Sequence, residues 1–251
     1  MIEKTHAIVL KFIPWSNSSR IVTWLTREHG KITTMIKGSQ RPKSLFLGQY
    51  DLFYTCEMLY YPRRADELKI ARECYPLKRR TLFRTDWKAA ASASYLCDLI
   101  NRISIPEIPN PDLYDFLDFS LDDLAERGAD DAYIFWCELK LLKLQGLEPR
   151  LNQCIQCGAM LDAGTPGKWF SYVRGGILCR SCGAHAAEST TRIPPDVLAT
   201  LSSWQHSISV NCRTEHLVVR TAEGDLERCH EESVARTSGG IRVVDSAAWA
   251  P

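Results

Sequence analysis

Four cysteines, Cys154, Cys157, Cys179 and Cys182, form two C-x2-C pairs in "NQCIQCGAM" and "GILCRSCGA", with 21 residues between the pairs. A pair held in a turn-like knuckle directs two thiolates at one ion, and two knuckles complete the tetrahedron that Zn²⁺ accepts. Gly158 and Gly183 follow the second cysteine of each pair, where freedom to take positive φ helps the turn close. Four thiolates leave no open position for water, so the expected ion is one structural Zn²⁺ per chain rather than a catalytic one. A zinc deaminase needs H-x-E and P-C-x-x-C, a nucleotide-kinase lid comes with G-x-x-x-x-G-K-[ST], and a thioredoxin-like motif is a single C-x-x-C. None of these patterns is present in complete form.

The second set of candidates is cationic. Lys37, Arg41 and Lys43 lie in the loop-like "MIKGSQRPKSLFLG", Arg20 opens a second strand, Arg63 and Arg64 adjoin in "PRRADE", and Arg79 and Arg80 stand in "PLKRRTLFR". Such cations pair with phosphates without reading bases. Trp15, Trp24, Phe46, Tyr54, Tyr60 and Tyr61 lie among them and either stack on bases or fill the core. Residues 1–80 hold 15 Lys and Arg against 7 Asp and Glu, and the rest of the chain 16 against 23, so a net charge of +1 hides a basic front and an acidic rear. A polyanion-binding surface is therefore expected at the front.

No nucleophile elbow, phosphate-cradling loop or paired-carboxylate motif occurs, and the six histidines are scattered, so no catalytic residue is nominated and no enzymatic activity is expected. Cys56, Cys74, Cys97, Cys137, Cys212 and Cys229 lack metal-like spacing and read as buried or incidental thiols. The start "MIEKTHAIVLKF" is not a signal peptide, and no stretch approaches a membrane span of ~20 apolar residues. A cytoplasmic, nucleoid-associated protein with reduced thiols is expected, without membrane contact.

The elements that must position these residues change period along the chain. "THAIVLKFI", "RIVTWLTR", "KITTMIK", "DLFYTCEMLYY" and "LKIARECY" read as five strands within residues 1–80. Closure removes exposed edges, so an OB-type five-stranded barrel is expected, with an SH3-like barrel as the rival. Residues 81–150 read as a helical domain. Within it Leu113, Phe116, Leu117, Leu121 and Leu124 form one stripe, Asn110 is the N-cap, Pro111 the first helical residue and Gly128 the stop. "DDAYIFWCELKLLKLQG" is apolar nearly all round and reads as a buried helix ended by Gly146. Residues 151–189 form the zinc-ribbon-like module, with a hairpin turning at Gly175-Gly176. Residues 190–205, where Val197, Leu198 and Leu201 share a face, complete the helical domain, and 206–251 read as a divergent, loosely ordered tail. The fold class is multidomain α+β.

Three stretches, in this order, resemble the bacterial RecO family of DNA repair proteins: "AIVLKF…SSRIVTWLTREHGKITTMIKGSQRPKS", "LKLLKLQGLEPRLNQCIQCG" and "FSYVRGGILCRSC". The resemblance covers about residues 1–205 and is most specific at the second stretch. It implies an OB-fold, a helical domain and a C4 zinc module in a recombination mediator. Such a protein binds single- and double-stranded DNA, anneals complementary strands and, with RecR and in many bacteria RecF, helps load RecA on DNA coated by single-strand-binding protein, whose acidic C-terminal tail it also binds. Lys37 and Arg41 match the family's DNA-contacting loop; the other cations rest on charge alone. Gln205–Pro251 lacks the family's further helix and basic, aromatic tail, and the last lysine is Lys168. The reading there is a divergent ending or an altered reading frame. The alternatives are an RNA-binding protein of the translation apparatus, an enzyme with a zinc-bearing lid, and a protein–protein adaptor.

Overall fold

The computed structural model describes residues 2–63, 67–128, 130–162, 166–186 and 189–207. Contacts divide the chain into two compact units, Met1–Ala129 and Asp130–Pro251.

In the first unit, β-branched and aromatic runs form β1 (Glu3–Ser16), β2 (Ser19–Thr26), β3 (Gly30–Ile36), β4 (Thr55–Tyr61) and β5 (Lys69–Lys78). They close in the order β1-β2-β3-β5-β4, an OB-type barrel as expected. All seams are antiparallel except the short parallel pairing of Thr34 with Lys69 and Met35 with Ile70. Alternate residues point inward, so Ala7, Val9, Val22, Trp24, Ile32, Ile36, Cys56, Met58, Tyr60 and Cys74 share one core. Closing the barrel therefore claims Trp24, Tyr54 and Tyr60 for packing rather than for ligand.

Strand boundaries differ from those read in the sequence at β1, β4 and β5, the last of which runs on from Tyr75 to Lys78. β1 continues through Pro14 to Ser16, because Pro14 sits beside a register irregularity where a missing N–H is tolerated. β4 begins only at Thr55, because Phe53 takes φ 67°, which extended backbone does not permit.

A 3₁₀ turn (Thr81–Arg84) leads into α1 (Trp87–Ile103) and α2 (Pro111–Arg127). The Asp86 side chain accepts the Ala89 N–H at α1, and Asn110 accepts the Leu113 N–H at α2, both at 3.0 Å. Leu113, Leu117, Leu121 and Leu124 are buried as the stripe requires. Gly128 ends α2 at φ 82°.

The second unit holds α3 (Asp131–Leu144), β6 (Lys168–Ser171), β7 (Gly176–Leu178), α4 (Arg180–Ala184), β8 (Thr190–Ile193) and α5 (Pro195–His206). β6 and β7 form the expected hairpin, with Gly175 at φ 63° donating its N–H to Ser171 at 3.0 Å. β8 adds a third strand on the other side of β6, giving the order β7-β6-β8. Leu151, Ile177, Ile193 and Leu198 form a small core with Val197 and Leu201 against it, so α5 lies on this sheet. α5 also reaches α3, where Lys140 donates to the Gln205 carbonyl at 3.1 Å. No described helix is long and apolar enough to cross a membrane. Of the segment read as a tail, all after Ser207 lies outside the described residues.

Candidate functional site

The cysteines come together from two directions. Cys154 and Cys157 sit on a turn in which Gly158, at φ 75°, donates its N–H to the Cys154 carbonyl at 2.9 Å and Cys154 donates to Ala159 at 2.8 Å. Cys179 caps α4 and Cys182 lies on it. The Cys179 N–H donates to the Cys154 sulfur at 3.4 Å, joining the knuckles.

All four sulfurs lie within 4.8 Å of one another, with Cys157 and Cys179 3.9 Å apart. A tetrahedron with metal–sulfur bonds of ~2.3 Å has edges of about 3.8 Å, so the residues fit one ion. The Ser181 hydroxyl and the Cys182 N–H bring the Cys179 thiol down to about 6. Burial opposes ionisation of Cys154, but N–H groups of Cys157, Cys179 and Gln156 outweigh it and lower its pKa. Cys182, hydrogen-bonded to Cys179, is pushed up to about 12. Four sulfurs this close ionise together only around a cation. The packing leaves no slack: a Cβ on Gly183 would come within 2.1 Å of the Trp169 ring, and one on Gly176 within 2.5 Å of Ile155.

Lys37, Arg41 and Lys43 are exposed in the loop after β3 and form no ion pair with any described residue. The loop is fastened at its base: Gly38 donates its N–H to the Ser19 hydroxyl at 3.2 Å, and Gln40 donates to the Ser18 carbonyl at 3.1 Å. Gly38 turns at φ 67°, and the Arg41 N–H closes the turn onto its carbonyl at 3.1 Å. Lys37 and Arg41 thereby flank an open groove of about 440 Å³ that Trp15, Ser19 and Met35 also line. Arg20 lies with its guanidinium 4.4 Å from the centre of the Phe12 ring. Arg79 is exposed, Arg63 lies 3.5 Å from Glu67, and Arg64 lies outside the described residues.

Arg80 corrects the sequence reading. Its side chain is only 2% exposed, so it is no surface contact. All five N–H donors are taken: Asp122 at 2.7 Å, the Phe53 carbonyl at 2.6 Å, Thr55 at 2.9 Å, and the Asp118 carboxylate and carbonyl at 2.7 and 3.2 Å. Lys78 bridges the same two aspartates at 2.6 Å. This cluster ties the end of β5 to α2. Asp118 and Asp122 went unremarked in the sequence because nothing local relates them to residues some forty positions earlier.

With this geometry in place, comparison with known proteins is direct. Residues 1–80 match the family model described as Recombination protein O N terminal, and residues 84–217 match Recombination protein O C terminal. A DNA repair protein RecO of Syntrophus aciditrophicus is 31% identical over 195 residues, covering 78% of this chain and 73% of the relative. One from Exiguobacterium sibiricum is 32% identical over 235 residues, 91% of this chain and 92% of the relative. One from Bacillus subtilis is 31% identical over 182 residues, 72% and 69% of the two chains. A closed five-stranded barrel, helices and a four-cysteine cluster in this order, matched by both halves of the family, make the chain a member of the RecO family of DNA repair and recombination proteins.

Proposed function

We propose that this protein is a recombination mediator that acts by binding rather than turnover. It binds single- and double-stranded DNA through phosphates held by Lys37, Arg41 and Lys43, with Arg20, Arg63, Arg64 and Arg79 extending the track. Neutralising both strands on one basic surface favours annealing of complementary strands. With RecR, and RecF where present, it helps RecA onto DNA coated by single-strand-binding protein, whose acidic tail it also contacts. The barrel of residues 1–80 carries DNA, residues 81–150 with 190–205 meet partners, and residues 151–189 hold one structural Zn²⁺ on Cys154, Cys157, Cys179 and Cys182. That ion secures the fold of its module and supplies no chemical step.

The observation that carries this reading is the loop itself. Three exposed cations without an ion-pair partner among the described residues stand on a turn anchored to Ser18 and Ser19. Cations held free of internal carboxylates keep their attraction for an outside polyanion.

The test is binding to a labelled single-stranded oligonucleotide across a salt series. The three loop contacts alone give a slope of about −2 in log K against log salt, and the further cations of the track make it steeper. A Lys37→Glu, Arg41→Glu, Lys43→Glu variant with unchanged circular dichroism should lose most of the affinity. Failure of the intact, zinc-loaded protein to bind at low salt would sink the mediator reading.

A further inference from the structure

The groove beside the basic loop contains one side chain that neither the core nor electrostatics requires. Trp15 is 60% exposed, whereas the barrel interior already holds Trp24 at 0%. Trp15 is also the extra residue of the β1–β2 ladder: Pro14 pairs with Arg20 and Ser16 pairs with Ser19, two steps on β1 against one on β2. A bulge of this kind turns a side chain away from the direction that strict alternation would give it. Here the indole lines the same groove as Lys37 and Arg41.

Resting on the DNA-binding reading above, we propose that Trp15 is a base-stacking platform that makes this groove prefer unpaired strands. Lys37 and Arg41 hold the phosphates of a strand crossing the groove, and the indole takes the face of one base. Paired bases in a duplex are already stacked on each other and offer no free face, whereas an unpaired base does. Stacking is tolerant of sequence because every base has a π face. The two cations select a nucleic acid over an apolar peptide as the occupant.

The experiment compares two labelled strands of equal length, one of thymidine nucleotides and one abasic, against the wild-type protein, Trp15→Ala, Trp15→Phe and the double variant Lys37→Glu, Arg41→Glu. Trp15 is on the surface, so the fold should survive, and circular dichroism checks this. The wild type should prefer the thymidine strand, and Trp15→Ala should reduce that preference by about 5- to 150-fold per stacked base. The salt slope and the abasic affinity should stay unchanged, and Trp15→Phe should retain most of the preference. The double variant should weaken both strands together. A thymidine-to-abasic ratio unaffected by Trp15→Ala overturns the proposal and leaves the phosphate-binding reading intact. Equal weakening of both strands by Trp15→Ala also overturns it, since the ring would then only shape the groove. Wild-type protein that binds neither strand removes the DNA-binding reading, and this proposal with it.

Discussion

Arg80 shows how one residue can mislead a reading based on charge and still matter for the fold. It adopts φ 44°, a region unfavourable for any residue with a Cβ, and such a conformation persists only when its surroundings hold it. The five hydrogen bonds of its guanidinium do so. Removing it leaves Asp118 and Asp122 with Lys78 as their one remaining cation among the described residues and takes the Arg80 donor from the Phe53 carbonyl. Breaking a dry pair costs roughly 3–5 kcal/mol, and Asp122 is partly exposed, so Arg80→Ala should lose about 2–4 kcal/mol in denaturant unfolding. DNA affinity per folded molecule should be unchanged.

Asp118 adds a pH signature. Burial works against its charged form, but hydrogen bonds from Lys78, Thr55 and Arg80 outweigh this, and its pKa lies below the usual carboxylate range. A depressed folded pKa contributes stability that is fully present above the unfolded value of about 3.9 and lost as pH falls through the folded one. Acid unfolding of the first unit should therefore steepen below about pH 4. Asp118→Asn should be less stable at neutral pH and lose part of that acid sensitivity.

Among the elements, the second unit depends most on its cysteines. Its sheet has strands of only four, three and four residues, and its small core rests on Leu151, Ile177, Ile193 and Leu198. Binding an ion is then folding free energy for this segment. Metal analysis should find one zinc per chain, and Cys182→Ser or a strong chelator should release it. The melting temperature of this unit should fall, with a change in fluorescence from Trp169, whose ring packs against Gly183, the residue after Cys182. Full retention of structure without the ion would contradict this.

The four-cysteine cluster was legible because the motif is local and its spacing carries the chemistry. The five strands and the cap at Asn110 were legible for the same reason, being written in periods of a few residues. β8 was missed because four residues, "TTRI", carry no period. The fate of the cations was not legible at all. Lys37 and Arg80 look alike in sequence, and only the return of α2 to the barrel puts two carboxylates beside one and leaves the other exposed.

At the scale of the whole molecule, the uneven charge has a consequence for rates. A front of 15 cations against 7 anions attracts a polyanion, whereas the remaining 16 against 23 repel it. Added salt should therefore slow the approach to the basic barrel as well as weaken the complex.

The barrel itself closes on a short seam. Its parallel seam comprises only Thr34 with Lys69 and Met35 with Ile70, two positions joined across a connection that contains all of β4. Beyond them the open flank of β3 is covered by the stretch after α1: Glu107 donates its N–H to Lys31 at 3.0 Å, and its carboxylate holds the buried Lys69 ammonium. Gly30 makes room, for a Cβ there would come within 2.1 Å of the Ile108 carbonyl. Non-local pairings form late because the chain entropy of closing them must be met first. The contact between Lys31 and Glu107 spans more of the chain than any pairing within the sheet, so the latch on this cylinder is a piece of chain that arrives only after a whole helix has been laid down.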